Sequence, residues 1–542
     1  MENRAITRIL VNPFGIKPKQ SNMFKNHPKG LLAAALSNMG ERFGYYIMNA
    51  VLTLFLCSKF GLTDTKAGII YSFFYCGIYV LALVGGFIAD RKSDYKGTIQ
   101  KGLIVMALGY ALLSIPIFAT PENKSWLLPL TCVALFLIAF GNGLFKGNLQ
   151  AIVGQLYDDF EAEAAKEGPE KVKWAQGQRD SGFQIFYVFI NIGGLIAPFV
   201  APLIRQWWLG LHNVSYNAQL PRLCHEFIAN GTVSDNLIAE AANAGAVLDP
   251  TNLEAIGQFC SNYLNYFNTG VHFSFIASVL AMLISLTIFV CTKKIFPNPG
   301  KKEAAASVGY TEEEKIAMAK EIKQRMYALF AVLGVVIFFW FSFHQNGQSL
   351  SFFARDFVNT SKIAPEIWQA VNPFFVIILT PIIMWFFGWL GKRGRQISTP
   401  RKIAYGMGIA AIAYIFLSLF SFKMGYPSAQ DFLAQDTATQ ASLKAGPWVL
   451  IVMYFFLTVA ELFISPLGLS FVSKVAPKSM QGLCQGLWLG ATAVGNLFLF
   501  LGPKMYNVMP LGWCWGVFAC LCIISMGVMF GMVKWLERVT NS

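Results

Sequence analysis

Long apolar runs, separated by short polar segments, dominate the chain from residue 31 to residue 534. A helix of roughly 20 apolar residues is long enough to cross the ~30 Å hydrocarbon core of a bilayer. We count twelve such runs, so the pattern predicts an all-α membrane protein with twelve transmembrane helices. The runs lie at about 31–57, 66–90, 98–119, 125–149, 181–204, 268–292, 325–354, 364–390, 402–423, 446–472, 479–502 and 509–534.

Two longer hydrophilic segments divide this pattern. Residues 205–267 separate the fifth run from the sixth, and residues 293–324 separate the first six runs from the last six. Six helices joined to six by a charged linker is the layout of transporters with two pseudo-symmetric halves and a substrate site near the bilayer midplane. The expected boundaries are a cytoplasmic segment 1–30, an N-terminal bundle 31–292 with an extracytoplasmic loop 205–267, a cytoplasmic linker 293–324, a C-terminal bundle 325–535 and a tail 536–542.

Charge fixes the expected orientation. The chain has 43 lysines and arginines against 29 acidic residues, a net charge of +14. With the N-terminus inside, 31 of the basic residues fall in cytoplasmic segments and 10 fall outside. Basic residues stay on the cytoplasmic side of translocated chains, so we expect both termini in the cytoplasm and the protein in the plasma (inner) membrane. The excess of basic residues in cytoplasmic segments explains the net positive charge, so no nucleic-acid partner is expected.

The first thirty residues do not have the pattern of a signal peptide.

Cysteine and histidine suggest no metal or cofactor site. Eight of the ten cysteines lie in or beside apolar runs, where a thiol acts as a small hydrophobic group. Cys224 and Cys260 share the external loop, so a disulfide and two free thiols remain open alternatives. No Cys/His spacing indicates a metal site.

We single out five ionisable residues inside the predicted helices: Glu41, Arg42, Lys146, His344 and Glu461. A charge in mid-membrane costs ~2.5–3.5 kcal/mol on insertion scales, so each needs a partner or a function. Three come from the first six helices and two from the last six, as a central cavity requires. We expect Glu41 and Arg42 to compensate each other, with Lys146 competing for the carboxylate.

Helical spacing adds neighbours to these charges. Glu41 and Tyr45 share one face of the first predicted helix, and Arg42 and Tyr46 share the next face. Asn191 lies beside two glycines in the fifth helix, where an interhelical hydrogen bond and a ligand contact remain equal alternatives.

Several motifs resemble a known family. They are "ERFGYY", "GGFIADR", "RDSGFQIFYVFINIGG", "AVNPFF", "AELFISPLGLSFVSKVAP" and "GLWLGATAVGN", in this order along the chain. Together they resemble the proton-dependent oligopeptide transporter (POT/PTR) family of the major facilitator superfamily. The resemblance implies the major facilitator fold, with twelve transmembrane helices in two six-helix halves.

The resemblance also implies a function and a site. The family's activity is secondary active import of di- and tripeptides by proton symport through alternating access, in a monomer that needs no cofactor and is not an enzyme. Arg42 and Lys146 would meet the carboxylate end of the peptide, and Asn191, Asn372 and Glu461 would hold its amino end. The expected pocket walls are Tyr45, Tyr46 and Trp488.

Two departures from the family pattern put proton coupling in question. The first helix lacks the family's first glutamate and has Asn38 in its place, and His344 stands where a glutamate is usual in the seventh helix. Glu41, His344 and Glu461 remain as proton-coupling candidates. Another small zwitterion or anion as cargo, or weakened coupling, is therefore an alternative. A polytopic membrane enzyme is a third hypothesis. Such an enzyme would need paired acidic metal-binding motifs, and the acid-rich segment "DDFEAE" at 158–163 is single and unpaired.

Overall fold

The computed structural model describes residues 27–297, 312–359, 363–393, 397–475 and 481–541. Twelve helical segments are long and apolar enough to cross a membrane, as the hydrophobic pattern predicts. No β-sheet forms in the described ranges, where one isolated bridge joins Val358 to Ala445. The prediction of an all-α membrane protein with twelve transmembrane helices is thus confirmed. Residues 1–26 of the expected segment 1–30 and residues 298–311 of the expected linker 293–324 fall outside the described residues.

The N-terminal half contains six long helices and two short ones. They are α1 (Leu31–Phe60), α2 (Asp64–Lys92), α3 (Tyr95–Ser114), α4 (Lys124–Ala165), α5 (Pro169–Leu211), α6 (Leu220–Asn230), α7 (Asp235–Asn243) and α8 (Leu253–Thr292).

The C-terminal half repeats this plan with more interruptions. Its helices are α9 (Glu312–Phe343), α10 (Ser349–Asp356), α11 (Val371–Lys392), α12 (Thr399–Met424), α13 (Ala429–Leu433), α14 (Thr437–Leu443), α15 (Trp448–Val475), α16 (Gln481–Leu497), α17 (Leu501–Val508) and α18 (Leu511–Asn541). Short 3₁₀ turns precede α10 (His344–Gly347) and α11 (Pro365–Ala370).

Several helices are longer than the apolar runs that predict them. α4 and α5 continue into the polar segment between them, where Arg179 Nη1 lies 2.6 Å from Asp158 Oδ1. α8 begins within the segment expected as an external loop, and α9 begins within the expected linker. Alanine, glutamate and lysine favour helix without being apolar. Hydropathy therefore locates the lipid-facing part of a helix and leaves its ends undefined.

Donors from three neighbouring helices satisfy the carbonyls at the end of α1. We call this end of the bundle, where α1 ends and α2 begins, the outer end, because the charge distribution predicts that it is extracytoplasmic. Lys124 Nζ donates to the Phe60 carbonyl at 2.5 Å. His225 Nε2 and Asn268 Nδ2 donate to the Ser58 carbonyl at 2.7 and 3.1 Å. These bonds pair carbonyls that a helix end leaves free and attach α1 to α4, α6 and α8.

Glycines let α4 pack directly against the backbones of α2 and α3. A Cβ atom on Gly85 would lie 2.0 Å from the carbonyl oxygen of Gly143. A Cβ on Gly141 would lie 2.6 Å from the carbonyl oxygen of Gly102. Close backbone approach through small residues is a common way to associate helices in lipid, where no hydrophobic effect drives them together. The position of α4, which carries Lys146, depends on these contacts.

Gly85→Ala is expected to lower the stability of the protein by about 1–3 kcal/mol, because the new methyl group overlaps the α4 backbone. Gly86→Ala is the matched control, since a Cβ there meets no atom within 4 Å. Thermal unfolding of the two purified variants in detergent would measure the difference. Equal unfolding midpoints would contradict the close contact.

Candidate functional site

Glu41 and Arg42 directly follow Gly40 in α1. Gly40 packs against α8, since a Cβ on Gly40 would lie 2.4 Å from Ser285 Oγ of α8. Arg42 Nε and Nη2 donate to the two Glu41 carboxylate oxygens at 2.6 and 2.7 Å. Glu41 is fully buried and Arg42 is 5% exposed. The two adjacent charges compensate each other with a bidentate geometry, which makes a strong ion pair.

Asn142 of α4 completes the coordination of this carboxylate. Its Nδ2 donates to Glu41 Oε1 at 2.7 Å. We expected Lys146, one helical turn further along α4, to compete for this carboxylate. Within the described ranges Lys146 makes no ion pair, and its ammonium lies 5.2 Å from the centre of the Tyr79 ring. Asn142 was missed in the sequence, although its four-residue spacing from Lys146 places both side chains on one helix face.

Three tyrosines of α2 connect Lys146 with the C-terminal half. Tyr71, Tyr75 and Tyr79 recur every four residues, and the ring centres of successive tyrosines lie 5.3 and 6.0 Å apart. The Tyr75 ring also meets the His344 ring edge to face at 4.9 Å. Sequence reasoning missed this row of rings, which we call the tyrosine row. Its signal was present, because a four-residue spacing puts all three side chains on one face of the helix.

His344 is nearly buried and is held by aromatic and amide contacts. Its Nδ1 lies 2.6 Å from Asn496 Oδ1, so Nδ1 carries a proton and donates it to this acceptor. The ring stacks on Trp340 with centres 5.0 Å apart. The structure therefore places His344 where α9, α16 and the tyrosine row meet. Whether it binds the transported proton stays a prediction.

Asn372 and Glu461 lie together, as the resemblance implies. Asn372 Nδ2 lies 2.9 Å from Glu461 Oε2 and 3.0 Å from Thr458 Oγ1, so one amide joins α11 to α15. Thr458 in turn donates to the Tyr454 carbonyl. In the part of the chain that the structure describes, no lysine, arginine or histidine forms an ion pair with Glu461. Among the described residues, its carboxylate accepts a hydrogen bond from the Asn372 amide.

Asn191 and Tyr46 approach the C-terminal half beside Asn372. A Cβ on Gly194 would lie 3.1 Å from the Tyr46 ring and 3.2 Å from Pro373, the residue after Asn372. Gly194 thus allows α5 to lie between α1 and α11. Asn191, one turn earlier on α5, donates its Nδ2 to the Tyr187 carbonyl of its own helix at 2.9 Å. That bond leaves the Asn191 side-chain oxygen available as an acceptor.

The other two aromatic candidates are packed among protein groups. Tyr45 is 3% exposed, donates its hydroxyl to Asn49 Oδ1 at 3.3 Å and lies 4.6 Å from the Arg42 guanidinium. Trp488 is also 3% exposed, and its ring lies over Gly468. A Cβ atom on Gly468 would lie 2.0 Å from the Trp488 ring. Trp488 therefore fixes α16 against α15. A role of either ring in binding stays a prediction.

Two buried ion pairs join the halves at the outer end. Arg205 Nη1 of α5 lies 2.7 Å from Glu366 Oε1, and both side chains are 1% exposed. Arg355 Nη2 lies 3.0 Å from Asp64 Oδ2 and also contacts its neighbour Asp356. We call these two contacts the outer ion pairs. The sequence did not reveal them, because each residue lies at a helix end, where a charge ordinarily reaches water.

Amide side chains add further contacts between the halves at the outer end. Gln219 Nε2 donates to Asp356 Oδ1 at 2.8 Å, and Gln348 Nε2 donates to the Gly68 carbonyl at 3.1 Å. Asn236 of α7 donates to the Gln435 carbonyl at 2.8 Å. The segment 205–267 therefore contacts both halves. Cys224 and Cys260 are buried free thiols in this structure.

Comparisons with known proteins agree with this architecture. The model of the POT family matches residues 96–311 and 303–512. A protein named dipeptide and tripeptide permease B from Edwardsiella piscicida is 27% identical over 95% of this chain and 97% of its own length. A protein named peptide transporter YePEPT from Yersinia enterocolitica is 28% identical over 88% of this chain and 87% of its own.

A solved structure has the same fold. The crystal structure of a peptide transporter POT in complex with sulfate superposes with a TM-score of 0.66 at 21% identity. The alignment covers 95% of this chain and 96% of that one.

Removing one partner of the Glu41–Arg42 pair is expected to cost more stability than removing both. Glu41→Gln leaves a buried guanidinium uncompensated, a loss of about 3–5 kcal/mol for typical buried pairs. The double variant Glu41→Gln/Arg42→Gln leaves no unpaired charge, so its thermal midpoint in detergent should exceed those of both single variants. A double variant as unstable as the sum of the single losses would contradict mutual compensation.

Proposed function

The chain belongs to the POT family of membrane transporters, and on this basis we propose that it imports di- and tripeptides together with protons. The protein is an integral multi-pass membrane protein. The relatives named dipeptide and tripeptide permease and peptide transporter support this choice of cargo. We propose that the protein works as a monomer in the inner membrane, with both termini in the cytoplasm.

Two opposite charges carry the proposal. Lys146 belongs to the N-terminal half and Glu461 to the C-terminal half, and neither has an ion-pair partner among the residues described. An uncompensated charge is costly in a low-dielectric bundle and marks a functional position. A short zwitterionic peptide supplies both missing partners, because its carboxylate matches the ammonium and its amino group matches the carboxylate.

The other candidate residues receive roles that follow from their contacts. Arg42 is the second cation for the peptide carboxylate and would exchange part of its bond to Glu41 for the ligand. Asn372 orients Glu461 toward the amino group, and Asn191 offers an acceptor beside it. Two tyrosines and one tryptophan supply apolar walls that tolerate different side chains. These rings are Tyr45, Tyr46 and Trp488.

Alternating access is expected to act through the outer ion pairs. Both pairs cross between the halves, so opening the outer end must separate Arg205 from Glu366 and Arg355 from Asp64. A buried ion pair gains little net stability over water, because desolvation offsets most of the attraction. Such contacts can therefore break and reform with a small change in free energy, which suits a cycle between two states.

Glu41, His344 and Glu461 are the candidate residues for proton coupling. The burial of His344 between the Trp340 and Tyr75 rings favours the alternative in which this histidine stays neutral and only connects helices. Under that alternative, the same fold would carry peptides or another small zwitterion with coupling that is weak or depends on Glu41 or Glu461 alone.

Uptake of labelled dialanine into proteoliposomes tests the proposal. An inward proton gradient should drive accumulation above equilibrium, and dissipating the gradient should abolish it. Saturable uptake without response to the gradient would support the uncoupled alternative. No uptake, in a preparation whose folding is verified by thermal unfolding, would overturn peptide transport.

Lys146→Ala is expected to weaken dialanine binding by about 2–5 kcal/mol, because the peptide carboxylate loses a buried counter-charge. This loss corresponds to a rise in KM of at least roughly 30-fold. Lys423→Ala removes an equal charge from an exposed position and is the matched control. An unchanged KM in Lys146→Ala would remove this lysine from the site.

His344→Gln distinguishes the two forms of coupling. Glutamine keeps a hydrogen-bonding side chain but cannot titrate, whereas imidazole titrates nearest to neutral pH. If His344 carries the proton, the variant should show a flattened pH profile of uptake and retain exchange of labelled for unlabelled peptide. A pH profile that overlays the wild type would assign coupling to Glu41 or Glu461.

A further inference from the structure

A large cavity lies at the outer end, apart from the residues discussed so far as a peptide site. Its volume is 800 Å³, within the range of ~300–1,000 Å³ typical of small-molecule pockets. The N-terminal half contributes the end of α1, the start of α2 and one face of α6, and the C-terminal half contributes α13 and the end of α17. We call this cavity the vestibule.

The outer ion pairs belong to the wall of the vestibule. Asp64, Arg355 and Glu366 all line it. The vestibule therefore extends to the contacts that must separate when the outer end opens. Because its walls come from both halves, that movement would join the vestibule to the central region between them.

Helix α6 presents its polar face to the vestibule. Arg222, His225 and Glu226 line the cavity, at spacings that place them on one side of the helix. The opposite side is buried and includes Leu223 and Phe227. The helix is therefore amphipathic, with charges of both signs facing the space between the halves.

Arg222 has hydrogen-bonding capacity that the protein leaves unused. Its Nη1 donates to Glu226 Oε1 at 2.5 Å. Its Nε atom is buried and has no acceptor among the described residues. The Arg222 side chain is 27% exposed at the cavity wall, and a guanidinium there can bind a ligand carboxylate, which accepts two parallel hydrogen bonds.

His225 is held in one orientation beside it. The imidazole donates from Nε2 to the Ser58 carbonyl, so Nε2 carries the proton. Burial lowers the pKa of His225, and the nearby Lys124 ammonium acts in the same direction. The ring is accommodated by Gly61, where a Cβ would lie 2.9 Å from Nδ1 and where φ is +60°.

We propose that the vestibule is a second binding site, which captures a short zwitterionic peptide before the outer end opens. Arg222 binds the peptide carboxylate, and Glu226, which also lines the cavity, binds the amino end. Tyr216, Phe267 and Leu433 supply apolar surface for side chains. Opening of the outer end then releases the captured peptide toward Lys146 and Glu461. This inference rests on the proposed peptide transport and adds the place where cargo is first bound.

Binding stoichiometry tests the vestibule separately from transport. Equilibrium dialysis of labelled dialanine against purified protein should give two sites per chain in the wild type. Arg222→Gln should retain one site, Glu461→Gln should retain one site, and the double variant should retain none. Lys423→Gln, an exposed charge removed from the same end of the molecule, should keep both sites.

The outcomes separate the two proposals. One site in the wild type that Arg222→Gln keeps and Glu461→Gln loses would overturn the vestibule and leave peptide transport intact. Absence of both binding and uptake in folded wild-type protein would overturn peptide transport, and the vestibule with it.

Kinetics from the two sides of the membrane provide a second measurement. In oriented proteoliposomes, Arg222→Gln should raise the KM for influx by about threefold to tenfold, as expected for a partly exposed charge contact. The saturating rate of influx and the KM for efflux should stay at wild-type values. The saturating rate of efflux should fall by the same factor as the influx KM rises, because a substitution cannot change the equilibrium of transport. An equal rise in both KM values would show a general structural defect and contradict capture at the vestibule.

Discussion

A charge inside a lipid-spanning bundle must be compensated, because the surrounding hydrocarbon cannot solvate it. The protein meets this constraint in two different ways. Glu41 and Arg42 neutralise each other within one helix, and Asn142 adds a hydrogen bond from α4. Lys146 and Glu461 receive only an aromatic ring and an amide from the described residues. The contrast separates charges that complete the structure from charges that remain available to a ligand.

Glycine packing determines where these charges can lie. Gly40 and Gly44 bring α1 against α8, and Glu41 of the same helix contacts α4. Gly194 lets α5 pack closely against Tyr46 of α1 and Pro373 of α11. In lipid the packing of small residues supplies much of the attraction between helices. These contacts between helices thus determine where the polar groups beside them lie.

The sequence predicts most of the fold and only part of the candidate site. Twelve spans follow from hydropathy because the bilayer requires apolar length. The Glu41–Arg42 pair follows from adjacency, and the meeting of Asn372 with Glu461 follows from the family resemblance. The outer ion pairs do not follow, because Arg205 and Glu366 are 161 residues apart and meet only after the halves pack. The end of α5 at Leu211 and the start of α8 at Leu253 were also missed, because hydropathy does not identify helices in polar segments.

The firm attachment of the end of α1 has a mechanical consequence. Donors from α4, α6 and α8 hold the carbonyls of Ser58 and Phe60, while Glu41 lies roughly 25 Å away along the same unbroken helix. A continuous helix resists bending over this length, and the contacts of Gly40 and Gly44 with α8 join the two helices near the Glu41–Arg42 pair. A tilt of α1 at its outer end must therefore move α8 with it and displace the pair sideways.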